Sequence, residues 1–221
     1  MTIEPHPLEP FLPENAKVLF LGSFPPPKSR WSMDFFYPNW INDFWRIQGL
    51  IHYGDKGYFE KTSSPLNGDL VNAPKTIKAF DKERIVTFCR EKGIALFDTA
   101  RKVCRLKGNA DDNFLEIVER TDVLELLEGM PECRTIVTTG GKASEELQAY
   151  YEEKGVKVKI PKVGECSPLQ FPLNGECSLQ QENLRWWRMP SSSRAYPMKL
   201  EKKAEYYRRL FLPIKKRIKL V

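Results

Sequence analysis

Histidine is scarce in this chain: His6 and His52 are the only two among 221 residues. A Ser-His-Asp relay or a histidine-bound metal therefore has little to draw on. The five cysteines, Cys89, Cys104, Cys133, Cys166 and Cys177, are odd in number, and no Cys-x-x-Cys pair occurs. That speaks against a disulfide framework and against a zinc or iron–sulfur site, and for free thiols in a reducing compartment. "GECS" occurs twice, at 164–167 and 175–178. This places Cys166 and Cys177 on the arms of a hairpin or long loop, but two ligands do not make a metal site. The chain has no GxGxxG and no GxxxxGK[ST], so dinucleotides and nucleoside triphosphates lose their usual mark. It has no GxSxG elbow either. No apolar run approaches the ~20 residues needed to cross a bilayer. The start, "MTIEPHPLEPFLPENAK", has neither the basic opening nor the apolar stretch of a signal peptide. The expectation is an intracellular, cytoplasmic protein without a membrane partner. There is no 20–50-residue repeat and no low-complexity tract.

What is present fits one compact domain with a sizeable core. Hydrophobic residues make up 41% and charged residues 29%, ordinary values for a globular chain. The net charge of +6 is unevenly spread. From Lys199 onward nine Lys/Arg stand against two glutamates. A basic end is compatible with nucleic acid, although by itself it is more often a solvated helix and tail. The expected organisation is an N-terminal extension over 1–16, a single domain over 17–212 and a basic tail over 213–221.

Short apolar runs alternate with helical patterns. Strands are expected at "KVLFLGS" (17–23), "IALFD" (94–98), "RTIVTTGG" (134–141), "VKVKI" (156–160) and "LRWWRM" (184–189). Helices are expected at 39–51, 81–93, 113–131, 142–155 and 199–211, the second and fourth closed by glycine. Residues 52–75 and 161–183 read as long ordered loops, the second with a hairpin. The alternation predicts an α/β protein, a three-layer α/β/α sandwich with a short, mostly parallel central sheet.

In such a sheet ligands gather beyond the carboxyl ends of the strands. That rule selects four segments: 22–45, 98–105, the turn at Gly140–Gly141, and "MPSSSRAY" (189–196). The first combines a Gly-Ser turn, three prolines, Lys28 and Arg30, then Trp31, Phe35, Phe36, Tyr37 and Trp40. Prolines stiffen a loop, and rings with cations suit stacked bases and phosphates. Phe44 and Trp45, on the expected helix, belong in the core, whereas Phe35, Phe36 and Tyr37, at the strand edge, are expected to act in function. The glycine pair at 140–141 offers backbone N–H groups to an anion, or serves only a tight turn.

Five blocks, in order, resemble the uracil-DNA glycosylase superfamily. "VLFLGSFPPPKS" is similar to its first catalytic motif, a strand running into a Gly-x-x-Pro turn. "YPNWINDFW" resembles the Asn-x-Phe-Trp signature of the hypoxanthine-DNA glycosylase and mismatch-specific branches. "GIALFDTARKV" resembles the second strand, whose last residue reads the base edge. "TIVTTGGKAS" is similar to the strand–glycine–lysine–alanine segment, and "RMPSSSRAY" to the loop that enters the minor groove. Departures are as informative. Phe24 stands where the uracil enzymes have a water-activating Asp, and Met189 where they have a histidine. The wedge position is Ser193 or Arg194 rather than leucine.

The resemblance implies a DNA glycosylase of base-excision repair, acting without cofactor or metal, as a monomer, on DNA with a damaged or mispaired base. It would hydrolyse the N-glycosidic bond of a flipped uracil or hypoxanthine. Asn42 matches the catalytic asparagine, with Asn39 in reserve. Asp98 would face the base edge, Phe36 or Tyr37 would stack on it, and Gly22, Ser23 and Phe24 would form the close turn. Lys28, Ser29, Lys142, Ser191, Ser192, Ser193 and Arg194 would contact DNA. Plainer roles stand beside these: Asn42 or Asp98 as caps, serines bonded to their own turn. The alternative reading is a catalytically inactive DNA-binding module on the same fold, and a small-molecule hydrolase is disfavoured by the lack of a nucleophile–base pair.

Overall fold

The computed structural model describes residues 2–62, 76–107, 112–170 and 184–211. In chain order the elements are β1 (Ile3–Pro5), β2 (Val18–Gly22), α1 (Phe44–Tyr53), β3 (Glu60–Thr62), β4 (Thr76–Phe80), α2 (Lys82–Lys92), β5 (Ile94–Asp98) and β6 (Ala100–Arg105). These are followed by β7 (Leu115–Arg120), α3 (Val123–Glu128), β8 (Thr135–Thr139), α4 (Gly141–Glu153), β9 (Cys166–Pro168), β10 (Arg185–Met189) and α5 (Leu200–Arg208). Among the described residues no helix is long and apolar enough to cross a membrane.

The central sheet runs β5-β2-β8-β10-β9. Three of its four pairings are parallel, and at the edge β9 joins β10 antiparallel. Apolar runs such as "LFL" and "IALF" are buried on both faces, as a covered parallel sheet requires. Leu21 is in register with Thr138, so Phe20 and Thr138 point to opposite faces. Phe20 meets Phe44 of α1 and Tyr207 of α5, with ring centroids 5.3 and 6.4 Å apart. Thr138 meets Ser144 of α4 at 2.8 Å. On the first side His52 of α1 packs on Phe88 of α2. On the other, Tyr150 of α4 donates to Asp122, the N-cap of α3. The result is the expected three-layer α/β/α arrangement.

Several expectations change. The helix expected from residue 39 begins only at Phe44. Residues 113–131, expected as one helix, divide into β7 and the short α3. Leu115 and Ile117 sit at strand spacing and pair with β6, and this tertiary pairing overrides local helix propensity. Segment 98–105, to which the sequence pattern assigns no element, is mostly β6, the centre of a second, antiparallel sheet in the order β1-β6-β7. "VKVKI" forms no strand: its valines and Ile160 pack on the core, but the sheet edge is taken by β9. The long loop at 52–75 is shortened by α1 and closed by a β3–β4 ribbon, with 63–75 outside the described residues. The 161–183 hairpin is seen only through β9, and Cys177 and the tail 213–221 also lie outside.

Residues 2–16 pack along the domain. β1 pairs with β6, and Phe11 bridges Leu96 of β5. The chain leaves β2 toward β5 and leaves β8 toward β10, in opposite directions. The switch point of the sheet therefore lies between the carboxyl ends of β2 and β8, and that is where a ligand crevice is expected.

Candidate active site

A cleft of about 700 Å³ opens at that switch point. It takes residues from the ends of β2, β5 and β8 and from the loop after β10, with Thr139 rather than the expected Gly140–Gly141 pair at β8. Gly22 closes β2 against Asp98, the last residue of β5. A methyl group on Gly22 would stand 2.4 Å from Asp98 Oδ1, so no larger residue fits without moving the carboxylate. Asp98 is 7% exposed yet lines the cleft.

The loop after β2 wraps the cleft. Trp31 Nε1 donates to Pro26 O, which closes the proline segment on itself. Phe24 and Phe36 are buried rings that reach the cleft wall. Phe35 is a core residue, packed edge-on to Phe11 and Phe36, and takes no part in the cleft lining. Tyr37 has φ +51°, a conformation that costs free energy unless its surroundings fix it. Its ring stacks on Phe44 at 3.8 Å and its hydroxyl lies 3.0 Å from Thr139 Oγ1. Burial, then the nearby charge of Asp98, pushes its phenol well above the ordinary range, so it stays a neutral hydrogen-bonding group. Phe44 and Trp45 are core, as their helical position implied.

Asn39 and Asn42 both line the cleft. Asn39 Oδ1 accepts from Ile41 N, and Asn42 Oδ1 from Phe44 N at 2.8 Å. Asn42 thus satisfies an open N–H at the start of α1, the plainer of its two roles. Its amide NH2 has no partner among the described residues. The backbones of Asn42 and Ser193 form a bridge, and Asp43 N donates to Ser192 O at 2.8 Å. Two loops 150 residues apart in sequence are so joined along one wall.

Buried charge locks the junction. Lys203 of α5, fully buried, donates to Ser193 O at 2.7 Å and to Asp43 Oδ2 at 3.3 Å. Arg194 Nε meets the other oxygen of Asp43 at 2.9 Å, and Tyr207 donates to Pro190 O. A buried ion pair of this kind fixes geometry more than it adds stability. Within the turn, Ser191 and Ser193 accept from backbone N–H groups two residues on. Ser192 is 2% exposed, so its hydroxyl is not offered outward. Arg194 and, across the cleft, Arg30 remain exposed cations at its edge. Lys28 and Ser29 are exposed on the turn before Arg30. Gly140, at φ +123°, lies against Ser191 and lets β8 turn beneath the serine loop. Lys142 stands outside the cleft lining and is ion-paired with Glu146 at 2.8 Å. Met189 is a core residue, in register with Thr139.

Two parts of the site carried no motif. His6 Nε2 lies 2.9 Å from Asp98 Oδ2, brought there by the β1–β6 pairing. The segment "EPHPLEP" looks like an extension, and only the sheet pairing reveals the contact. Asp112 and Asn113 line the cleft, and Ser23 Oγ donates to Asp112 Oδ1. Asn113 opens the run expected as helix and Asp112 just precedes it, and neither carries a signal of its own in the sequence.

The cleft thus offers a deep carboxylate, a carboxamide and aromatic walls, with cations at the mouth. Those elements suit a flat heteroaromatic ring joined to an anionic chain. No family model and no curated protein sequence matches this chain. Among solved structures it is similar to a protein from Methanosarcina acetivorans proposed to be a uracil DNA glycosylase, determined by solution NMR. The TM-score is 0.55 and the identity 21%, over 96% of this chain and 100% of that one. At this identity the likeness establishes a shared fold, a mixed α/β domain with a mostly parallel central sheet.

Proposed function

We propose that this chain is a DNA glycosylase that hydrolyses the N-glycosidic bond of a flipped deaminated base, uracil or hypoxanthine. The observation that carries the reading is the junction of Asn42, Asp98 and the serine loop around one cleft at the sheet's switch point. The fold shared with the Methanosarcina protein is in keeping with it.

The chemistry asks little of the enzyme. As the C1′–N bond breaks, the sugar becomes oxocarbenium-like, and the DNA phosphates stabilise it. A water adds to C1′, and its proton passes to solvent or to the departing base. The Asn42 amide, oriented by Phe44 N–H, positions that water. A carboxamide is no strong base, so turnover is slow. Asp98 accepts the ring N–H of the base. Phe36 and the neutral Tyr37 flank the ring, and Phe24 and Gly22 with Ser23 shape the turn around it. Asn39 supports the same wall. Ser191, Ser193, Arg194, Lys28 and Ser29 hold the phosphates. Flipping costs a few kcal/mol, least at a mispair.

Duplexes carrying uracil, hypoxanthine, xanthine or a G·T mismatch, incubated with stoichiometric protein and then treated with alkali, should break at one or more of these bases. Intact strands throughout would remove the glycosylase reading. Salt-dependent binding to plain duplex would then assign the chain as a DNA-binding module. Asn42→Ala should lower the single-turnover rate by roughly 100-fold or more while DNA affinity changes little. Equal loss of both would return Asn42 to a capping role.

A further inference from the structure

The imidazole of His6 lies directly beneath the cleft floor. Its ring is 4.5 Å from Phe97 and edge-on to Phe24 at 5.2 Å, with Phe36 at 6.2 Å. Only 3% of its side chain is exposed, and 10% of that of Asp98. His6 N donates to Arg101 O at 2.7 Å and fixes the backbone, while the ring is held by Nδ1, 2.7 Å from Leu8 O, and Nε2, 2.9 Å from Asp98 Oδ2. Leu8 N also reaches Nδ1, at 3.2 Å. In either arrangement of protons at Nδ1, Nε2–H is the donor to an Asp98 carboxylate.

The pairing divides the two carboxylate oxygens. Oδ2 is held by His6. Oδ1 stands beside Gly22, which lines the cleft with Asp98, and has no hydrogen-bond partner among the described residues. An acceptor held in one place recognises a donor and leaves a bare acceptor unsatisfied.

We infer that His6 is a positioning residue for Asp98: it occupies Oδ2 and presents Oδ1 as a fixed acceptor, so that the cleft selects a base with a ring N–H beside a carbonyl and rejects one whose corresponding ring nitrogen is unprotonated. This rests on the glycosylase reading for its substrate, but the His6–Asp98 pair itself does not. Uracil, hypoxanthine and xanthine belong to the accepted class, and adenine and cytosine to the rejected one.

The test uses the full chain in two arms. In the first, wild type, His6→Phe and His6→Gln are compared in single turnover on whichever duplex the wild type cleaves. His6→Phe keeps a ring against Phe24, Phe36 and Phe97 but donates nothing. His6→Gln restores an N–H donor. The rate of His6→Phe should fall roughly 10- to 100-fold, the scale of a misplaced group, at nearly constant DNA affinity. His6→Gln should recover most of it. A His6→Phe rate within twofold of wild type, or Phe and Gln variants that lose rate and melting temperature together, would overturn the inference. The second arm needs no activity. Proton NMR of 15N-histidine-labelled protein should show a strongly deshielded His6 Nε2–H that disappears in Asp98→Ala. A normal shift in wild type, or one unchanged in Asp98→Ala, overturns the pairing. Failure to cleave any duplex, with the deshielded proton present, removes the glycosylase reading and leaves the pair standing.

Discussion

Replacing Gly22 with alanine would place a methyl carbon 2.4 Å from Asp98 Oδ1, where ordinary contact begins near 3.4 Å. The carboxylate must then retreat by about 1 Å, because β2 and β5 are locked in register from Val18↔Ile94 to Gly22↔Asp98 and cannot separate. A displacement of that size breaks the 2.9 Å contact to His6. Overpacking of a buried site costs about 1–3 kcal/mol, and a lost charge-assisted hydrogen bond about 1.5–3 kcal/mol; relief of one worsens the other, so about 3 kcal/mol in all is expected. In a chain of this length that lowers the melting temperature by roughly 6–12 °C. The assay is a double-mutant cycle by urea denaturation. In an Asp98→Ala background the obstacle is gone, and Gly22→Ala should cost under about 1 kcal/mol, a coupling of about 2 kcal/mol. Strict additivity would refute the reasoning, since it would mean the alanine is resisted by backbone rather than by the carboxylate. On the proposed glycosylase function, the same substitution should also abolish most cleavage, as Oδ1 would no longer be where a base could reach it.

Two further outcomes concern the supports of the site. Lys203→Met should destabilise the fold by about 3 kcal/mol, the low end for a broken buried pair because Arg194 stays on Asp43. It should also loosen residues 190–194 to hydrogen exchange, and unchanged protection there would dissociate Lys203 from the loop. Burial, with Lys92 nearby, pushes the His52 imidazole down from 6.5 to about 4. The unfolded chain then binds more protons than the folded one between those values, so this contribution to stability is complete above pH 6.5 and is lost as pH falls toward 4. His52→Gln should flatten the decline between pH 7 and pH 5 in urea titrations. Parallel declines for variant and wild type would show that His52 does not carry it.

The sequence by itself determined the central sheet and the address of the site. Apolar runs too short for helices and closed by Gly or Asp can satisfy burial on both faces only as parallel strands, which is why β2, β5, β8 and β10 stand close to their expected places. The strand-end rule points to the segments after β2, β5, β8 and β10 before any side chain is placed, although at β8 it selects Gly140–Gly141 and the cleft takes Thr139 instead. Contacts between distant segments were beyond its reach. "FLEIVER" has enough helix formers to pass for helix, and only pairing with β6 makes it a strand. Asn42 precedes its helix because Asp43 N is drawn to Ser192 O and its carboxylate to Lys203, partners 149 and 160 residues away. His6 has no neighbour in sequence that marks it. It becomes part of the site because β1 lies along β6 and carries the imidazole to Asp98, 92 residues on. Local periodicity reports which face a residue buries; which partner waits on that face is a property of the folded chain alone.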